Sequence, residues 1–205
     1  MNELIYFFKT RKKANLTIVI INVVVYIVLA LTGDPADSAF MLRHGACYLP
    51  AVINGEYYRL FTSMFLHFGF YHIVYNMLSL IFLGDILETI AGPVRYLVIY
   101  LAGGIGGNLL SLAVSMKTGS YAVSAGASGA IFSVIGALLY IALRNRGTFG
   151  ERNMKKLVFM VVLMIMQGTV DKGVDGAAHL GGLISGFLLG ILLYHQKRST
   201  QYERL

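Results

Sequence analysis

Apolar runs long enough to form whole helices recur along nearly the entire chain, separated by joins rich in glycine, proline or charge. A helix needs about 20 predominantly apolar residues to cross a hydrocarbon core about 30 Å thick, and these runs meet that length. The pattern predicts six helices, at 15–33, 68–91, 93–116, 127–144, 153–170 and 177–195. Four joins are short: Gly92-Pro93, a Gly/Ser/Ala-rich stretch at 118–125, a basic stretch at 144–156, and 171–176. The first connection, 33–67, is too long for a simple turn. Within it Ala39-Phe40-Met41-Leu42 and Tyr57-Tyr58-Arg59-Leu60-Phe61 read as short pieces lying partly in the membrane interface.

Composition supports a membrane rather than water as the main solvent. Hydrophobic residues make up 57% of the chain and charged residues 13%, too little polar surface to cover a soluble globule. The fold class predicted is therefore all-α, a polytopic six-helix bundle in a lipid bilayer. It comprises an N-terminal segment at 1–14, one membrane domain at 15–195 and a tail at 196–205. The net charge of +7 does not indicate nucleic acid, because the basic residues lie between apolar runs and form no single patch. Their distribution instead sets orientation. Of the 17 Lys and Arg, 13 precede the first helix or fall in alternate joins and the tail, leaving Arg43, Arg59, Lys117 and Lys172 for the other side. Basic residues are retained on the cytoplasmic side, so both termini are expected there, with the protein in the plasma membrane. The first run follows basic residues as a signal peptide does, but it is long and lacks an A-x-A site, so an uncleaved helix is expected. Cys47 is the only cysteine, which excludes an intramolecular disulfide.

In this orientation the second, fourth and sixth helices run inward, and their N-terminal ends share one outer level. There stand His72 and Asn76, four apart on one helix face, then Ser128 and His179. Ionisable and polar groups inside a bilayer are costly and face the bundle interior, so each is a functional candidate. Each also has a plainer reading. Ser128 within Gly126-Ala127-Ser128-Gly129 could be a packing residue, and His179, His72 and Asn76 could make structural hydrogen bonds. Packing does not explain why all four gather at one depth. Gly182, Gly186 and Gly190 repeat every four residues below His179, forming a groove that another helix can approach closely. Ser128, Phe132, Ile135 and Gly136 offer a matching face, and joining the two would bring Ser128 and His179 within hydrogen-bonding reach, as activation of a hydroxyl requires.

Gly126-Ala127-Ser128-Gly129, Ala178-His179-Leu180-Gly181-Gly182 and His72-Ile73-Val74-Tyr75-Asn76, in this chain's order, resemble the nucleophile, base and oxyanion motifs of the rhomboid family of intramembrane serine proteases. Tyr58-Arg59 resembles the family's Trp-Arg pair, and Gly84 with Glu88 resembles a signature in its second helix. The resemblance covers roughly residues 15–195. It implies hydrolysis of a peptide bond near the outer end of single-span membrane proteins, with no cofactor, Ser128 as nucleophile and His179 as base. The oxyanion donors it implies are the Ser128 N–H, His72 and Asn76. Two departures stand out. No Trp is present, and Phe132 occupies a position where many members stack a Tyr on the base histidine. The acid of a soluble triad is also missing, so a Ser-His dyad is expected. His67 is expected to be structural. Asp171 and Asp175, with Asp34, Asp37 and Glu56 in the first connection, are expected to be hydrated, and 168–176 to act as a mobile cap. Two other readings remain. One is a silent relative that binds client helices, although such proteins typically lack the Ser or the His. The other is a bis-histidine haem or metal protein using His72 and His179, against which the absence of HExxH and of nearby cysteine ligands counts.

Overall fold

The computed structural model describes residues 12–144, 146–170 and 174–194, and it is helical wherever the apolar pattern predicts a span. Helix α1 covers Lys13–Thr32, and the first connection holds α2 (Ser38–Arg43), α3 (Leu49–Ile53) and α4 (Arg59–Thr62). The remaining spans are α5 (Gly69–Ala91), α6 (Pro93–Thr118), α7 (Ser128–Arg144), α8 (Arg146–Val170) and α9 (Gly176–Leu193). Local chemistry sets the breaks. Gly92 turns the chain at φ 88° and Pro93 opens α6 at a position where no N–H is needed, while Gly119 ends α6 in the left-handed conformation. Among the described residues four helices, α1, α5, α6 and α9, are long and apolar enough to cross a membrane, and α7 is an apolar helix of 17 residues. The protein is an all-α, multi-pass membrane bundle.

One boundary and one stretch inside a helix differ from the sequence expectation. The basic join at 144–156 is mostly helical, because α8 already begins at Arg146 and bends at Gly150 (φ 71°). Beyond the bend, a Glu151–Lys155 pair of 2.7 Å across one turn favours helix over loop. Helix α5 also contains a π-turn at Leu80–Gly84 that no periodicity announces. Lys9, Arg11, Asp171, Lys172, Gly173 and the basic tail lie outside the described residues, and with them the centre of the expected cap.

Helices α6, α7 and α9 form the centre, at distances only glycine permits. A Cβ on Gly182 would strike the Gly129 carbonyl, one on Gly186 the Ser133 carbonyl, and one on Gly136 the Leu183 carbonyl. The contact face of α7 is thus Gly129, Ser133 and Gly136 with Ala137: of the expected Ser128, Phe132, Ile135 and Gly136 line, Gly136 makes the closest approach, and the other contacts fall one residue round from it. The smallest residues make the closest approach, leaving Ser128 and Phe132 to flank the seam. Against α6, Ser133 fills the space opposite Gly103 and donates to the Ile99 carbonyl at 2.7 Å. On the next turns of α6, Gly106 faces Ser185 and Gly107 faces the Ala178 carbonyl.

Polar residues fasten both ends of this apolar bundle. At the end formed by the start of α1 and the close of α5, buried Glu88 accepts from the Asn15 N–H at 2.8 Å and the Ala14 N–H at 3.3 Å, satisfying orphan donors of α1's first turn. Asn15 donates to the Leu80 carbonyl and Asp85, both at 2.8 Å, and accepts from Tyr96 at 2.7 Å. In the first connection buried Arg59 donates to the Leu42 carbonyl (2.6 Å), the Ala46 carbonyl (2.9 Å) and Glu56 (2.6 Å). The loop is therefore anchored without tryptophan: exposed Tyr58 supplies a ring 5.4 Å from the guanidinium and a hydroxyl bonded to Glu56 at 2.8 Å. Glu56, expected to be hydrated, is held below the usual carboxylate range by the Tyr58 and Arg59 hydrogen bonds.

Gly186→Val should separate α7 from α9 and lower the unfolding midpoint in detergent by about 5 °C or more, since overpacking costs about 1–3 kcal/mol. Gly176→Ala is the control, because nothing within 4 Å faces the added methyl. Equal losses in the two variants would refute the close-contact explanation.

Candidate active site

Ser128 is the first residue of α7, reached through an extended segment at 119–127 that is pinned on its way in. Ser124 forms an isolated antiparallel bridge with Cys47, N–H to carbonyl in both directions at 2.8 Å. Gly126 N–H then donates to the Ser63 carbonyl at 2.9 Å, and Ala127 N–H to His67 Nε2 at 3.3 Å. Gly126 has φ 142°, and a Cβ there would stand 2.8 Å from His72 Nε2 and 3.6 Å from Ser128 Oγ. Glycine is required twice over, for the backbone and for the space.

From the facing side, the first turn of α9 presents His179, whose Nε2 lies 2.9 Å from Ser128 Oγ. The Phe132 ring stacks on the imidazole with centroids 4.3 Å apart and planes 19° from parallel. Ser128, His179 and His72 line one cavity of about 350 Å³, together with Gly126, Gly129, Asn108, Ser124, Asp175 and, from the first connection, Ala36 and Ser38. A hydroxyl thus sits within reach of a base, beside a histidine, in a cavity with room for a peptide segment and water.

Asn76 stands apart. It lies one turn below His72, fully buried and off the cavity lining, and neither polar atom of its amide has a hydrogen-bond partner among the described residues. Buried amides are normally satisfied, so this one is spare binding capacity. His67, expected to be structural, accepts the Ala127 N–H and lies edge-on to His72 at 5.2 Å. Burial, with His72 nearby, holds its imidazole well below the ordinary histidine range, so it stays neutral and able to accept.

Asp175 corrects an expectation. It is no free loop end but the half-buried N-cap of α9, where it accepts from the Ala178 N–H at 2.9 Å, from Ser124 Oγ at 2.8 Å and from Ser111 Oγ of α6. None of these partners is the His179 ring. Half-buried packing explains the difference: α6 and the 119–127 segment lie against the start of α9 and bring hydroxyls to the carboxylate. Asp37 likewise caps α2. Ser111, Ser63 and Asn108 escaped the sequence reading; Asn108 donates to the Leu60 carbonyl (2.8 Å) and Ser63 Oγ (3.0 Å), tying the first connection to α6. Gly103, Gly104, Gly106 and Gly107 were the available signal that α6 packs against the site. The Cys47 thiol is pushed up to about 11 by burial and by the Asp175 charge, so it stays protonated and takes no part.

Comparison with known proteins supplies an independent line. Residues 54–196 match the family model described as Rhomboid domain. The chain is 34% identical over 185 residues to the Rhomboid protease GluP of Bacillus subtilis, spanning 90% of this chain and 36% of GluP. It is 33% identical over 175 residues to YdcA of the same organism, covering 82% of this chain and 83% of YdcA. With RHOMBOID-like protein 1 of Arabidopsis thaliana it shares 42% identity over 159 residues, 76% of this chain and 40% of the plant protein. It therefore spans well under half of two of these relatives and most of the third.

The left-handed backbone and the His72 contact at Gly126 give a local prediction. Gly126→Ala should destabilise the protein by about 1–3 kcal/mol and shift His72, readable as a lowered unfolding midpoint and a changed histidine ring resonance. Retention of both parental values would show that the 119–127 segment tolerates a side chain there.

Proposed function

The chain belongs to the rhomboid family, and from that premise we propose that it is an intramembrane serine endopeptidase working through a Ser128–His179 dyad. The observation that carries the proposal is the 2.9 Å contact between Ser128 Oγ and His179 Nε2 inside a cavity at the N-terminal ends of α5, α7 and α9. Ser128 Oγ attacks the scissile carbonyl while His179 Nε2 accepts its proton, then returns it to the leaving amine. The Phe132 face stacks on the imidazole and stabilises the imidazolium through its π system. The oxyanion takes up the Ser128 N–H and a ring N–H of His72, with the spare Asn76 amide as third donor after a shift toward the cavity. Water enters the same cavity, whose wall includes Ser38, Asn108, Ser124 and Asp175, for deacylation. The substrates are single-span membrane proteins entering from the bilayer, unwound locally near the outer end of their helix. Domain limits of 15–195 and a place in the plasma membrane belong to the same reading, as do cytoplasmic termini and a site open to the outer face, which the distribution of basic joins supports.

The reading predicts that Ser128→Ala and His179→Ala each abolish cleavage of a reporter membrane helix by the purified chain while leaving unfolding midpoints near the parent's. Full cleavage by Ser128→Ala would sink the assignment; a parent chain that binds the reporter without cutting it would identify a silent relative.

Removing an oxyanion donor costs about 10²–10³ in rate in comparable enzymes. His72→Ala and Asn76→Ala should accordingly be slowed by that order without becoming inert. An unchanged rate in the double variant would take α5 out of the mechanism.

A further inference from the structure

Asp175 is bonded to three separate parts of the fold, α9, α6 and the segment leading to Ser128, and all of its partners bear on the dyad's geometry. One oxygen, Oδ1, caps α9 by accepting the Ala178 N–H at 2.9 Å. Capping needs no more than that. The second oxygen, Oδ2, accepts hydroxyls from two other elements: Ser111 of α6, and Ser124 of the segment leading to Ser128. An ionised carboxylate is acceptor-only with lone pairs enough for all three. His179 stands four residues on, its N–H bonded to the Asp175 carbonyl at 3.1 Å, so the carboxylate and the base share one helical turn. The far side of that turn is also fixed, because the Ala178 carbonyl rests against Gly107, one turn before Ser111 on α6. Ser124 in turn is bridged to Cys47, and the neighbouring Ala46 carbonyl accepts from Arg59. The nucleophile segment, α6 and α9 thus converge on a single side chain, with the first connection joined to it through the Cys47–Ser124 bridge.

We propose that Asp175 is the positioning residue of the base: by clamping the first turn of α9 to Ser111 and Ser124, it sets His179 Nε2 within reach of Ser128 Oγ. The proposal rests on the dyad reading. It differs from a triad acid in mechanism, because Asp175 acts through hydrogen bonds at the helix start and not through the imidazole ring. Asparagine is therefore an informative replacement. Its carbonyl oxygen can still cap Ala178, and its amide nitrogen can donate to hydroxyls that turn to accept, so the clamp survives without the charge. Alanine removes the clamp. Misplacing reacting groups by about 1 Å can cost about 100-fold in rate.

The test uses the full chain in detergent with two readouts, cleavage of a reporter membrane helix and covalent labelling by a fluorophosphonate. In the labelling step Ser128 Oγ bonds to phosphorus, fluoride leaves and the hydroxyl proton passes to His179. Asp175→Ala should lower kcat and the labelling rate about 100-fold with KM nearly unchanged, and Asp175→Asn should restore both to within about 10-fold of the parent. Should Asp175→Ala not fold, the Ser111→Ala, Ser124→Ala double variant, which keeps the α9 cap, carries the same expectation of a kcat loss at unchanged KM. Parental rates in the folded alanine or double-serine variant would overturn the proposal while leaving the dyad standing. So would an asparagine variant as slow as alanine, which would make the charge the active feature. A parent chain that neither cleaves nor labels would overturn the protease reading and the clamp with it.

Discussion

Ser128 and His179 stand on different helices and share a 2.9 Å contact where α7 and α9 touch almost backbone to backbone. Everything central in this bundle serves that constraint. Gly182 and Gly186 of α9 meet carbonyl groups of α7, and Gly136 of α7 meets a carbonyl of α9, so neither surface has room for a methyl group. In lipid no hydrophobic force drives helices together, and association depends on close van der Waals packing of this kind. The approach then dictates the neighbours. Ser133 must turn toward Gly103 of α6, and Ser185 toward Gly106, because the α7–α9 seam has no space for them. Helix α6 is thereby drawn into the centre and brings Ser111 to the start of α9.

A packed seam fixes distance but not height, since helices joined by small residues can slide. Polar fastenings at the two ends resist sliding, and a bilayer makes them effective because an unmade hydrogen bond there has no water to replace it. Glu88 and Asn15 hold α1 to α5 at one end. Arg59 organises the first connection at the other, taking two backbone carbonyls and one carboxylate. The Asn76 amide differs in that neither its nitrogen nor its oxygen has a partner among the described residues: a buried donor without a bond is a cost the fold carries beside its cavity.

How much of this was legible beforehand follows from where the information lies. The spans were visible because membrane helices are long and uniformly apolar, and the residues at the cavity because ionisable groups stand out in such a background. Of the expected α7 line Gly136 makes the closest contact, while Gly129 and Ser133 take the places expected of Ser128 and Phe132, since periodicity gives a face but not which of its members are small enough to touch. The α8 start was hidden by its charges, which read as loop although Glu151 and Lys155 support a helical turn. The π-turn of α5 depends on Asn15, far away in sequence, bonding the Leu80 carbonyl at 2.8 Å. Asp175 was misread for the same reason. A carboxylate four residues before a helix's key histidine looks like a solvated loop end until the hydroxyls of Ser111 and Ser124, from elsewhere in the chain, are placed around it.

The position of that carboxylate bears on how a base can be oriented in a membrane. In water-soluble triads a buried acid bonds directly to the imidazole and fixes its tautomer. Inside a bilayer the same arrangement would hold a charge among apolar helices, where desolvation is expensive unless every lone pair is satisfied. At the start of α9 the carboxylate meets a helix N-terminus, whose partial positive charge and free N–H groups suit an anion, and two hydroxyls complete its shell. The imidazole is left to an apolar partner, the Phe132 face at 4.3 Å, and to Ser128. Charge and ring are thereby handled separately. The carboxylate caps the helix and Phe132 stacks on the ring, so a hydroxyl and an imidazole can be held in register without a carboxylate bonded to the imidazole.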